Sequence, residues 1–445
     1  MDLAGLLPSF GNFAFTIIAF VIALSVIVAI HEYGHYIVGR WTGIKADVFS
    51  VGFGPVIYSR TDRHGTAWQI AALPFGGFVK FRGDENAASG KDADAMVGLS
   101  AEERRATMHG APLWARTLTV LAGPVFNFIL SFLIFAALLM ARGVASDPIT
   151  IEELRTLPGT TQGLEPGDVV LKINGTPVPP TEEFTELRES LVPVENSTFT
   201  VLRDGNEAVV DGPWLFPALV GGVTPGSAAE EALLEDGDVI TAVDGDPIYD
   251  FEQLRDKVVA SEGDSIALTV WRDGDVSDFV MTPRRMDLPL ADGSFETRYI
   301  IGVSPGMSFE PASETPSLGE AMSYGVNQII FITKSSLSGL YHMIAGKIST
   351  CNISGPIGIA ETSGQAASQG WISFIWFIAV LSTAVGMLNL FPIPVLDGGH
   401  LVFYFWEAVT GRPPSDQALK YLMAGGLTVM LGLMVFAVTN DLFCP

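Results

Sequence analysis

The chain alternates between long uncharged runs and long polar ones. The first uncharged run extends from Leu3 to His31, with an unbroken apolar core from Phe13 to Ile30. At the 1.5 Å rise of a helical residue, that core is long enough to cross most of a bilayer. A cleaved signal peptide needs a basic leading region and a small-residue cleavage site, and this run offers neither, so a retained span is expected. A second run covers Thr117 to Met140. A third lies between Glu361 and Asp397, most apolar from Trp371 to Leu390, and a fourth covers Tyr421 to Asn440. Four transmembrane helices are therefore expected. Between Lys45 and Phe81, strand-like runs punctuated by Gly52, Gly54, Gly76 and Gly77 read as β-hairpins. Residues 316–347 carry apolar positions at helical spacing (Leu318, Met322, Val326, Ile329, Ile330), as in a helix lying on a membrane surface. The polar stretch from Asp84 to Met108 reads as a mobile excursion.

Lys and Arg near the span ends set the orientation. None precedes the first span, whereas ten basic residues from Arg40 to Arg116 lie between the first and second. That segment is expected to be cytoplasmic, which turns both termini and the segment between spans two and three outward. Composition agrees with a membrane protein: of 445 residues 48% are hydrophobic and only 17% charged. The net charge of −24 argues against a nucleic-acid surface, which needs the opposite sign. Residues 141–320 hold 34 acidic and 11 basic side chains, so nearly all of that charge belongs to one polar insert between two greasy ends. Cys351 and Cys444 both fall on the outer side in this topology, where a disulfide is chemically permitted. Sequence alone leaves a bridge and two free thiols both open.

The insert repeats itself. Leu164-Glu165-Pro166-Gly167-Asp168-Val169-Val170 answers Leu234-Glu235-Asp236-Gly237-Asp238-Val239-Ile240, and each is followed by a turn dipeptide, Asn174-Gly175 or Asp244-Gly245. A helical stretch at Phe184 to Glu189 parallels Phe251 to Asp256, and Leu202-Arg203-Asp204-Gly205 parallels Trp271-Arg272-Asp273-Gly274. Two small mixed α/β units follow from the pattern. They resemble PDZ domains of the circularly permuted bacterial type, which bind peptides by adding a strand to a sheet edge.

The chemistry lies at the inner end of the first span, in His31-Glu32-Tyr33-Gly34-His35. On a helix, positions i and i+4 share a face, so both imidazoles can reach one Zn²⁺ while the glutamate points at the remaining coordination site. A metal lowers the pKa of its water, and the glutamate can take that proton and return it to a leaving amine. Ionisable groups at membrane depth are costly, which makes them functional candidates by default. A catalytic zinc takes a third protein ligand. Asp397 is the candidate, at the end of Asn389-Leu390-Phe391-Pro392-Ile393-Pro394-Val395-Leu396-Asp397-Gly398-Gly399, with His400 as an alternative. The prolines there should unwind the helix.

These two motifs, with the span order and the position of the insert, resemble the site-2 protease family of intramembrane zinc metalloproteases, in particular the bacterial regulator-of-sigma-E protease subgroup. The resemblance implies a polytopic α-helical membrane protein with four transmembrane helices, a membrane-associated β-hairpin region and two inserted mixed α/β PDZ-like domains. The expected divisions are residues 1–140 for the N-terminal membrane half, 145–215 and 216–285 for the two PDZ-like domains, 286–360 for a linker and amphipathic helix, and 361–445 for the C-terminal membrane half. It implies one zinc held by His31, His35 and Asp397, with Glu32 as acid/base and Asn389 supporting the substrate backbone or the oxyanion. Substrate contacts are implied at Gly76, Gly77, Phe78, Pro392 and Pro394, and at Asn127 in Gly123-Pro124-x-x-Asn127. Ser354 to Ala360 also matches the family, without a chemical role of its own. The implied activity is hydrolysis of a peptide bond within the membrane segment of single-pass proteins of the bacterial inner membrane, such as an anti-sigma factor already cut on its outer side. The PDZ-like pair would read peptide tails or exclude outer domains. A rival from another class is a non-catalytic membrane receptor or scaffold built on the same pair. The joint presence of His31, Glu32, His35 and Asp397 separates the two, because a scaffold has no use for them.

Overall fold

In hydrocarbon every backbone N–H and C=O has to find its partner inside the segment, so uncharged runs of this length become helices. The computed structural model describes residues 6–84, 98–159, 162–180, 184, 187–188, 191–290 and 293–444. Two compact units emerge, one from both ends of the chain and the other from Leu139–Glu320.

The first unit begins with α1 (Leu6–Trp41), which continues well past the apolar run, so the His31 to His35 motif lies inside the helix and not at its end. Next come β1 (Ala46–Thr61) and β2 (Ala67–Phe81), two long bent strands where several hairpins were expected. Val51 of β1 stands opposite both Gly77 and Ile70, so the first arm of β1 lies between the two arms of β2. The connecting turn is pinned to α1 by Asp62, whose carboxylate accepts from Tyr36 Oη, Trp68 Nε1 and the His64 and Thr66 amides. Burial opposes ionisation there, yet these donors hold the carboxyl at about 2.

The expected mobile excursion is partly structured. Within it, α2 (Ala101–Arg105) opens on a capping box between Ser100 and Glu103. Lys45 N donates to Ala106 O and Met108 N to Arg82 O, tying the segment to the base of the hairpin. Residues 85–97 of that excursion lie outside the described residues. The unit continues with α3 (Leu113–Arg142), which carries Pro124 in its interior.

In the second unit, β3 (Val144–Ala145) and β4 (Ile151–Leu154) lead into β5 (Val169–Ile173), β6 (Thr176–Pro177), β7 (Asn196–Arg203) and β8 (Asn206–Pro213). A second set follows: β9 (Val220–Val223), α4 (Ala228–Glu231), β10 (Val239–Val243), β11 (Asp246–Pro247), α5 (Phe251–Ala260), β12 (Ile266–Arg272) and β13 (Asp275–Met281). The two four-stranded sheets have the same order, β6-β5-β7-β8 and β11-β10-β12-β13. The repeat extends to single bonds. Asp168 and Asp238 are each 1% exposed, and each accepts a guanidinium, Arg203 or Arg272, and a backbone amide, Glu165 N or Glu235 N. Asn174 and Asp244 both adopt φ 51° in the turns. The helix expected at Phe184 to Glu189 lies partly outside the described residues.

The chain then returns. β14 (Arg284–Pro289) pairs with β15 (Phe295–Ile300), β16 (Val303–Pro305) with β9, β17 (Phe309–Pro311) with β4, and β18 (Ser313–Glu314) with β3. These pairings run across the expected divisions 145–215 and 286–360. The second copy is nested inside the first, and the expected linker supplies strands to both. Phe309 is 2% exposed in the core of the first copy, among Ile151, Leu164, Phe199 and Leu215. Trp214 Nε1 donates to Asp250, which also caps α5, so one carboxylate links the copies.

The closing elements are α6 (Leu318–Ile344), α7 (Pro356–Ser368), α8 (Trp371–Asn389), α9 (Asp397–Thr410) and α10 (Asp416–Phe443). Among the described residues, α1, α3, α8 and α10 are the helices long and apolar enough to cross a membrane. On α6 only Ala321 and Gly325 are buried, while Met322, Val326 and Ile330 are exposed. Cys351 and Cys444 form a disulfide, and Asp441 accepts from Gly355 N and Ile357 N at the start of α7. That gives the Ser354 to Ala360 segment a structural role. A Cβ on Gly355 would lie 2.5 Å from Asp441 Oδ2, so the glycine admits the cap.

The nesting has a measurable consequence. Phe309→Ala should cost about 3–5 kcal/mol. Amide exchange should accelerate in β5 and β7 of the first copy while β10 and β12 keep their protection.

Candidate metal centre

Two helices approach closely enough to bury a pair of imidazoles. α1 and α3 meet at glycines: a Cβ on Gly34 would lie 2.5 Å from Ala122 O, and one on Gly123 2.3 Å from His35 Nε2. Small residues at such a crossing let backbones come together where apolar burial gives no drive. His31 and His35, four apart on α1, are each 8% exposed. Their far nitrogens face α3. His35 Nδ1 lies 2.8 Å from Thr119 O, and His31 Nδ1 lies 3.2 Å from the Asn127 amide. An imidazole that offers Nε2 to a metal carries its proton on Nδ1 and needs an acceptor there. Thr119 O meets that need for His35. For His31 the fitting atom is Asn127 Oδ1, which otherwise is buried without a partner. The structure places Asn127 Nδ2 toward the ring, and the reversed amide, with Oδ1 there, would suit a metal-bound His31.

The third group comes from the far end of the chain. After α8 ends at Asn389, the backbone leaves the helix through Pro392 and Pro394 and re-enters one at Asp397, in the first turn of α9. Gly398 and Gly399 make this turn possible. A Cβ on either would lie 2.3 Å from a carbonyl, Phe391 O or Ile393 O. Asp397 Oδ2 stands 3.1 Å from His31 Nε2 and 3.5 Å from His35 Nε2, and the two Nε2 atoms are 3.2 Å apart.

Zinc fits this triangle. Ligands about 2.0 to 2.1 Å from a tetrahedral zinc stand about 3.3 Å from one another. Asp397 Oδ2 is buried with no hydrogen-bond donor, as a metal ligand would be. Two imidazoles and one carboxylate form a zinc donor set that leaves a fourth position open. Among the described residues, this is the one group of three such side chains close enough for a metal. His400 does not join it.

The other expected residues fall into two sets. Glu32, Gly77, Phe78 and Asn389 line the cavity of about 240 Å³ that contains the three ligands, together with Val79 and His400. Glu32 accepts a hydrogen bond from the Val79 backbone, so β2 positions the carboxylate as well as walling the cavity. Gly76, Asn127, Pro392 and Pro394 do not line it. Gly76 turns against the Phe53 ring at φ 132°, Pro394 packs on Gly426 of α10, and Asn127 stands behind His31. Sequence reasoning missed the Thr119 carbonyl and the Val79 amide. Both are backbone groups, so no side-chain signal marks them.

The sequence pattern described as peptidase family M50 matches residues 19–433. A protein of Agrobacterium fabrum is 35% identical over 430 residues, covering 96% of this chain and 95% of that one. One of Rhizobium meliloti is 35% identical over 435 residues, covering 97% of both chains. Another, from Neisseria meningitidis serogroup A, is 32% identical over 459 residues, covering 96% of this chain and 98% of its own. All three are named as candidate zinc metalloproteases. With a zinc donor set and a glutamate in one cavity, the chain belongs to peptidase family M50 and is a zinc-dependent metalloendopeptidase.

Proposed function

We propose that this protease cleaves a peptide bond within the membrane segment of single-pass proteins in a bacterial inner membrane, with His31, His35 and Asp397 holding zinc. The observation that carries the reading is the location of the site. The three ligand atoms lie within 4.8 Å of one another against α1 and α3, two helices apolar enough to span, so the bond has to be brought to membrane depth. Zinc, when bound, supplies a Lewis acid that acidifies a water and polarises a carbonyl. Glu32 takes the proton from the attacking water and delivers it to the leaving amine. The Asn389 amide, on the same cavity wall, donates to the carbonyl oxygen as it gains negative charge. Gly77 to Val79 offer backbone to a substrate in extended form, because peptide groups released from a helix need new partners.

The basic segment between α1 and α3 supports a cytoplasmic site, with the termini and the acidic unit outside. The Cys351–Cys444 disulfide fits that side, since disulfides persist in oxidising compartments. The two similar sheets of the second unit act as a PDZ-like pair that reads peptide tails or excludes bulky outer domains. An anti-sigma factor trimmed on its outer side is the substrate type this arrangement suits, which makes the enzyme a step in envelope stress signalling.

Purified full-length Glu32→Gln should keep one zinc per chain while cleavage of a membrane-embedded reporter falls by about 10²- to 10⁴-fold. Persistent cleavage overturns the acid/base role. His35→Ala and Asp397→Asn should both lose zinc on dialysis, as read by metal analysis. Asn389→Ala should lower kcat by about 10²-fold with little change in KM. An unchanged kcat would remove it from the oxyanion site.

A further inference from the structure

Asp397 occupies the first turn of a helix with one exposed side and one side that packs, through Leu401 and Tyr404, on the core around Tyr36 and Phe81. Along α9 only Gly398 and Gly399 are buried, and Val402, Phe405, Trp406 and Val409 are exposed. The opposite face is different. Asp397, His400, Leu401, Tyr404 and Glu407 follow one another at helical spacing and share one side. At the far end of that side, Glu407 accepts two hydrogen bonds from Arg116, 2.6 Å from Nη2 and 3.1 Å from Nη1. Both side chains are largely buried, at 13% and 18% exposure. The same guanidinium donates from Nε to Ala111 O and lies 5.2 Å over the Tyr404 ring.

Arg116 stands one helical turn before Thr119, the residue whose carbonyl orients His35. Glu407 stands ten residues, about 15 Å of helix, beyond Asp397. We propose that the Arg116–Glu407 pair is a positioning device for the metal centre: it pins the helix carrying the third ligand to the helix that orients the other two. The loop before Asp397 is held by its own bonds, Leu396 N to Ile393 O and Gly399 N to Leu396 O, and the axial register of α9 is the further constraint on the distance from Oδ2 to the imidazoles. A planar guanidinium joined to a carboxylate by two parallel bonds defines that register in direction as well as distance. Lysine would keep the charge and lose the fork.

The inference rests on Asp397 being a ligand, and its test separates the two. In full-length protein in detergent, Glu407→Gln and Arg116→Lys should each weaken zinc binding about tenfold in competition with a chromophoric chelator. They should lower kcat with little effect on KM, and alter the visible spectrum of the cobalt-substituted site. The double exchange R116E/E407R should recover most of the lost affinity. If Asp397→Asn strips zinc while both single variants bind zinc and cobalt as the native protein does, the positioning role is wrong, whatever happens to Tm. If Asp397→Asn keeps native affinity, the ligand assignment fails first.

Discussion

The structure depends on bringing one carboxylate from near the end of the chain against two imidazoles from near its start. An aspartate and two histidines buried among apolar spans are expensive as isolated groups and tolerable only when they satisfy one another or a metal. Their mutual distances of 3.1 to 3.5 Å are short enough for either. Everything around the triangle serves that convergence. Glycines thin the α1–α3 crossing, two prolines follow the end of α8 at the cavity wall, and a Gly-Gly pair lets a new helix begin at the carboxylate. A charge at the first turn of a helix also gains from the amides pointing at it.

Much of this was legible beforehand, for identifiable reasons. The spans are legible because hydrocarbon permits one local solution, and uncharged runs such as Thr117 to Met140 record it directly. The convergence of three metal-binding side-chain types is legible because His31 and His35 carry their geometry in their spacing, and Asp397 interrupts an apolar run where a carboxylate has no packing use. The repeat is legible because Asp168 with Arg203, and Asp238 with Arg272, are ion pairs on a buried aspartate whose members recur in order.

What escaped has a common physical cause. The nesting of the second copy depends on β16 and β17, three residues each, too short to show a period. Their pairing with β9 and β4 spans a long stretch of chain, and nothing local in Val303 or Phe309 announces the partner. Asn127 is expected as a substrate contact only through the family resemblance, and its position beside the His31 ring depends on which side of α3 meets α1. Arg116 read as one more basic residue of the cytoplasmic segment. Its partner Glu407 is equally ordinary in isolation, and only the packing of α9 gives either a role.

The cavity around the triangle is lined on one side by Gly77, Phe78 and Val79 of β2. The wall opposite the ligands is built from strand backbone, with Gly77 small enough that Glu32 and β2 approach each other closely: a Cβ there would lie 3.5 Å from Glu32 Cγ and 2.7 Å from Ser50 O. A side chain at Gly77 would push the strand away from the glutamate it positions through Val79. The same glycine thus leaves space in the cavity and lets β2 lie close to the Glu32 carboxylate.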